Sequence, residues 1–157
     1  MSDRRLNMSN DAQSAKSIPA ANINREAAVA LIAASLAAAK DIGIEATIAV
    51  TDATGHLRAF ERTDGAPFLT VDVAIDKAWT AASFGFPTHV WNDYVTSDPK
   101  VAPLAHRPRM VAVGGGYPIL ENGRLIGGLG VSGGSYQQDQ DAAETALRKL
   151  GFDVAST

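Results

Sequence analysis

Apolar runs broken by glycine dominate the stretch from Met110 to Gly134 and organise the reading of the whole chain. Runs at Met110–Val113, Tyr117–Leu120 and Leu125–Val131 are separated by turn formers, which predicts three short strands in succession. Asn122-Gly123 between the last two runs predicts a tight hairpin, because a two-residue primed turn needs positive φ at both central positions. Earlier, Glu45–Thr51 and His56–Arg62 read as two more strands, joined by Asp52-Ala-Thr-Gly55, whose Asp and Gly are turn residues.

Helical segments surround these strands. Arg25–Ile42 is rich in strong helix formers, with Asn24 as N-cap, Lys40 in the last turn and Gly43 just past the end. A second helix is predicted to begin between Pro67 and Thr70 and to run to Phe84, before Gly85 and Pro87 stop it. At about 100° per residue, Phe68, Val71, Ile75, Ala78, Trp79 and Ala82 share its apolar face, and Asp72, Asp76, Thr80 and Ser83 its polar face. Lys77 lies on neither face and projects with Val73, Ala74, Ala81 and Phe84. Thr88 is placed as the N-cap of a short amphipathic helix, Ser97–Pro108 reads as a loop over a crevice, and a last helix runs from Gln137 to Leu150. Ser135 and Gln138 have capping-box spacing ahead of that last helix.

The order is helix, two strands, helix, short helix, three strands, helix. Hairpins make antiparallel neighbours, so the expectation is an α+β fold with a five-stranded antiparallel sheet flanked by helices. Residues 1–21 are polar with few apolar anchors and read as a flexible N-terminal arm. Residues 22–157 read as a single domain, long enough to bury a core without staples.

Composition narrows the classes of function. A formal charge of −3 leaves no basic stripe for nucleic acid. With no cysteine, disulfides, thiolate chemistry and cysteine-type zinc sites are excluded. The first twenty residues hold no apolar core of a secretory signal and no run is long enough to span a membrane, so a cytoplasmic protein is expected. Gly128 and Gly130 begin a GxGxxG-like spacing, yet no strand, glycine turn and helix follow with an acidic residue at the right distance, which argues against a nucleotide. Val131-Ser-Gly-Gly lacks the pattern of a nucleophile elbow.

Gly127, Gly128 and Gly130 weaken a strand unless something must approach closely, either a helix or a ligand. Gly114, Gly115 and Gly116 and then Ser132, Gly133 and Gly134 stand at strand ends, so two glycine corners are expected to face one crevice and to line a ligand site with Thr80. His56, His89 and His106 are the histidines. His89 beside Val90 and Trp91, and His106 beside Arg107 and Arg109, are the two with neighbours suited to a bound ligand, apolar for the first and cationic for the second. Each is more often a partly exposed loop histidine than a ligand, His56 at its turn is the weakest candidate, and no metal ligand set is assigned. Lys77 with Asp64, Arg62 and the Gly114–Gly116 amides makes a candidate acid/base site for proton transfer next to a carbonyl. The competing reading is a structural ion pair between Lys77 and a carboxylate such as Asp64 or Asp72.

Taken together, Arg62–Ala66, Val71–Ala82, Gly114–Ile119, and Ile126–Gly134 followed by Gln138 and Asp139 resemble the GlcG/HbpS-like haem-binding family, which includes the C-terminal domain of PduO-type cobalamin proteins. The resemblance spans roughly residues 25–150 in order. It implies a profilin-like five-stranded antiparallel sheet between helices, and homo-oligomers built as dimers, tetramers or octamers. It also implies a small-molecule ligand, with haem or a related tetrapyrrole as the first expectation, in an intracellular catabolic or accessory role. It does not fix an axial ligand, for which His89 and His106 are the candidates, Arg107 and Arg109 beside the latter being able to pair with propionates. Two further readings stay open: an isomerase, tautomerase or lyase acting on a small carboxylic or aromatic catabolite, and a non-catalytic structural or accessory subunit.

Overall fold

The structure is a computed structural model that describes residues 15–155. Residues 1–14 of the expected arm lie outside the described residues. Of the remainder of that arm, Ala15–Ala20 is exposed without regular structure and Ala21 is partly buried against the core, before Ile23 anchors the chain by donating its N–H to the Ile126 carbonyl at 2.8 Å. The elements are α1 (Arg25–Ile42), β1 (Thr47–Asp52), β2 (Leu57–Arg62), α2 (Leu69–Phe84), α3 (Thr88–Ser97), a 3-10 turn (Ala102–His106), β3 (Gly116–Glu121), β4 (Arg124–Ser132) and α4 (Tyr136–Lys149). No helix among the described residues is long and apolar enough to cross a membrane.

Local chemistry explains most of the boundaries. Asn24 caps α1 by accepting from the Ala27 N–H at 2.8 Å, and Gly43 closes it in the left-handed conformation. Ser135 and Gln138 form the expected capping box at the start of α4. The β3–β4 turn has φ of 52° at Asn122 and 75° at Gly123, the primed geometry that an Asn-Gly pair favours. In the β1–β2 turn the Asp52 carboxylate accepts from the Thr54 N–H at 2.9 Å and the His56 N–H at 3.1 Å.

The sheet is antiparallel throughout, in the order β2-β1-β4-β3. It has four strands, not five. The expected strand at Met110–Val113 is an irregular segment whose backbone groups bond to side chains instead of a ladder. Thr80 Oγ1 accepts from the Val111 N–H at 3.1 Å, and Asn92 Nδ2 donates to the Ala112 carbonyl at 2.8 Å. At β3's outer edge a single bridge forms between Leu120 and Asp153.

Helices cover both faces. Ile48, Val50, Tyr117, Ile119, Leu129 and Val131 point to α1 and α4, where Leu31, Ile32, Ala142, Ala146 and Leu147 complete the main core. The other face carries Ala49 and the glycines, and α2 lies directly on it. A Cβ at Gly130 would collide with the Ala74 carbonyl, one at Gly128 with the Ala78 carbonyl, and one at Gly116 would stand 2.6 Å from the Lys77 carbonyl. The glycines therefore admit a helix backbone, the first of the two explanations that their presence suggested.

This contact also corrects the expected face of α2. Thr70, Ala74, Lys77, Ala78, Thr80, Ala81 and Ala82 are buried, whereas Phe68 is 85% exposed and Leu69 69%. Small residues face the sheet because a bulky side chain would lift the helix off the glycines. Thr80, expected on the polar face, is fully buried.

Replacing Gly130 by Ala should therefore cost about 1–3 kcal/mol by overpacking, since the obstacle is helix backbone and not a flexible side chain. Urea unfolding checks this; a loss within about 0.5 kcal/mol would mean that α2 is not held this close.

Candidate functional site

The shortest route from the glycine face to a site is Lys77. Its side chain leaves α2 toward β4 and ends in a sealed space, 2% exposed, where Nζ lies 3.0 Å from Asp139 Oδ2 and donates to the Val131 carbonyl at 2.9 Å. The second Asp139 oxygen accepts from the Gly134 N–H at 2.9 Å, and the Val131 N–H donates to the Gly115 carbonyl at 2.9 Å. Gly115, at φ 119°, covers the pair, and a Cβ there would sit 2.8 Å from Nζ. Burial pushes the Lys77 ammonium below its ordinary range, while the Asp139 charge and hydrogen bond pull it back.

Next to this pair the surface opens. A cleft of about 500 Å³ is lined by His89, Asn92 and Asp93 of α3, Val113 and Gly114 of the glycine corner, and Tyr136 and Gln140 of α4. α3 is fixed by Trp91, 2% exposed, whose ring packs on Phe84 with centroids 4.6 Å apart. That anchoring turns His89 toward β3, where its ring lies 5.8 Å from the ring of Tyr117. His89 is half-buried, and its Nδ1, shielded from solvent, finds no hydrogen-bond partner among the described residues. It also borders a second hollow of about 490 Å³, lined by Glu144, Arg148 and Phe152 among others.

The residues singled out from the sequence thus separate into groups. Lys77, Gly115 and Gly134 converge on the buried pair, with Ser132 buried at the adjoining end of β4 and Gly133 packed on the Glu45 carbonyl. Gly114 and His89 share the cleft. The Gly116 N–H is committed to Thr88 Oγ1 at 2.9 Å, and the Thr80 hydroxyl to the Arg109 carbonyl at 2.9 Å, so both serve internal bonds. Arg62 and Asp64 are exposed at the end of edge strand β2, and neither is a partner of the Lys77 ammonium. The carboxylate that pairs with Lys77 is Asp139, not Asp64 or Asp72. His106 is exposed in the 3-10 turn and is absent from the lining of the cleft. Arg109 is held by Asp76 at 3.1 Å and lies 4.7 Å above the Trp79 ring. Among the described residues no group of three or more His, Asp or Glu is placed to hold a metal ion.

Asp139, Gln140, Tyr136, Asn92 and Val113 went unrecognised as site residues. Asp139 is the instructive case. An acidic residue in the first turn of a helix reads as a partner of the helix dipole, and only its 2% exposure distinguishes it from such a residue.

Comparison with known proteins gives these features a setting. A family model described as haem degrading protein, HbpS-like, matches residues 23–148. An uncharacterized 15.0 kDa protein from the dhaT-dhaS intergenic region of Citrobacter freundii is 36% identical over 134 residues, which is 84% of this chain and 94% of that one. The corrinoid adenosyltransferase PduO of Citrobacter freundii is 34% identical over 134 residues, covering 84% of this chain but only 40% of PduO. The crystal structure of a PduOC:haem complex superposes with a TM-score of 0.77 at 30% identity, over 86% of this chain and 99% of that chain.

Tyr117, beneath His89, offers a test of the local electrostatics. Burial first, and then the Glu144 carboxylate that accepts its phenol at 2.5 Å, push its pKa far above the ordinary value of about 10. A raised folded-state pKa gives stability that is complete below about pH 10 and is lost as pH rises further. Urea midpoints measured upward from about pH 9 should therefore fall in the parent protein. They should fall less steeply in Tyr117→Phe; equal slopes would place the phenol in a solvated site.

Proposed function

The chain belongs to the HbpS-like family, and from that premise we propose that it binds haem or a closely related tetrapyrrole in the cleft beside His89. The observation that carries this reading is the imidazole itself. It is half-buried on the wall of a cleft of about 500 Å³, and because its Nδ1 is shut off from solvent, Nε2 is the ring nitrogen that would face a ligand. A haem site needs a nitrogen donor, apolar or aromatic walls and room for a flat macrocycle. His89 meets the first requirement, Val113 and Tyr136 the second, and Gly114, with no side chain, the third.

His89 would face the metal, Val113 and Tyr136 would lie along the macrocycle, and Asn92 and Gln140 would offer polar contacts at the rim. Haem, when bound, supplies an iron centre for ligand binding or redox chemistry. The relative solved as a haem complex supports the ligand class. Of the two histidines considered from the sequence, His89 is favoured because His106 is exposed away from the cleft lining. The acid/base reading is less well supported. A proton-transferring lysine must touch substrate, and Lys77 is 2% exposed with Asp139 and Val131 already on its ammonium.

Titration with ferric haem should give a saturable Soret band at one equivalent, weakened or shifted in His89→Ala and unchanged in His106→Ala. A protein that leaves the spectrum of free haem unaltered, or a His89→Ala variant that binds like the parent, would contradict the assignment.

A further inference from the structure

The buried pair and the open cleft share their walls. Gly115 rests on the Lys77 ammonium and its neighbour Gly114 lines the cleft, while Asp139 sits on α4 between Tyr136 and Gln140, which also line it. One connected set of bonds therefore joins α2, β4, the glycine corner and the start of α4: Lys77 to Asp139 and the Val131 carbonyl, Asp139 to the Gly134 N–H, and the Val131 N–H to the Gly115 carbonyl.

Stability alone is a poor reason for such an arrangement. Removing two charges from water costs about as much as their attraction returns, and buried pairs are often replaceable by apolar ones without loss. What an apolar pair cannot supply is direction. Lys77 and Asp139 aim their bonds at the Val131 carbonyl and the Gly134 N–H, so they fix α4 in both position and rotation relative to the glycine corner. Gln140 is packed so tightly on Gly114 that even a Cβ at Gly114 would collide with its amide. A small rotation of α4 would therefore displace Gln140 from the Gly114 wall of the cleft.

We infer that Lys77 and Asp139 are positioning residues for the ligand cleft, acting through Gly114 on one wall and Tyr136 and Gln140 on the other. The inference rests on the ligand reading above for its binding consequence, though not for its structural one. Neither residue touches the ligand. They hold the groups that do.

The test is the double variant Lys77→Met/Asp139→Leu, with Asp139→Asn as the milder change if the double variant does not fold. Ferric haem affinity should fall about 10- to 100-fold, the range for lost supporting contacts around a metal site, with a shifted Soret maximum. In the ligand-free protein, hydrogen exchange should quicken about tenfold at Gly114–Gly116 and Tyr136–Gln140 while α1 stays protected. A folded variant with parental affinity, spectrum and exchange overturns the inference. Exchange that quickens by one factor everywhere also overturns it, since the pair would then contribute only global stability. If the parent protein binds no haem, the ligand reading fails, and the exchange arm alone decides the positioning role.

Discussion

The close approach of α2 to a sheet face of glycines and small side chains is the constraint on which the rest depends. Gly116, Gly128 and Gly130 let the backbone carbonyls at Lys77, Ala78 and Ala74 come within the space that a methyl group would fill. Glycine in a strand sacrifices packing and chain entropy, and here the loss is offset by helix-to-sheet contact through alanines. At that separation the Lys77 side chain has no path to solvent. It runs across β4 to Asp139, and α4 is tied to α2 through the sheet that separates them.

Function follows from what that tie leaves beside it. The glycine corner is pinned from below by the ammonium and from the side by the Thr88 hydroxyl, and α3 is pinned by Trp91. Between them His89, Gly114, Tyr136 and Gln140 border an open cleft. The proposal of a flat, metal-bearing ligand rests on the His89 ring at this cleft, and the relative solved with haem, PduOC, is 30% identical to this chain.

Much of this was legible in the amino-acid order, and the failures have identifiable causes. The caps of α1 and α4, the Asn122-Gly123 hairpin and the antiparallel class are governed by local chemistry, so residues a few positions apart disclose them; Thr88, expected to cap α3, instead lies inside it after Pro87, and its hydroxyl accepts from the Gly116 N–H. Met110–Val113 misleads because an apolar run next to a glycine corner has strand composition, whereas its hydrogen bonds go to Thr80 and Asn92, distant in sequence. The face of α2 misleads for a related reason. Periodicity ranks side chains by hydrophobicity and would bury Phe68 and Val71 along with Ala78, but a glycine surface selects by size and buries Ala74, Ala81 and Thr80 with it. Lys77 drew attention by its apolar neighbours, while its partner Asp139 looked like an ordinary first-turn acid. The expectation put Lys77 and both glycine corners on one hollow; the structure instead seals Lys77 under Gly115 and leaves only Gly114 of that corner on the open cleft, a division that depends on tertiary contacts alone.

The most direct test observes the three histidine rings at once. In protein labelled with nitrogen-15 at histidine, one equivalent of ferric haem should broaden the His89 ring signals beyond detection, because a paramagnetic iron would lie against that imidazole. The rings of His56 and His106 should keep their positions and widths. Loss of the His106 signals with His89 unaffected, or three unperturbed rings at saturating haem, would contradict the account.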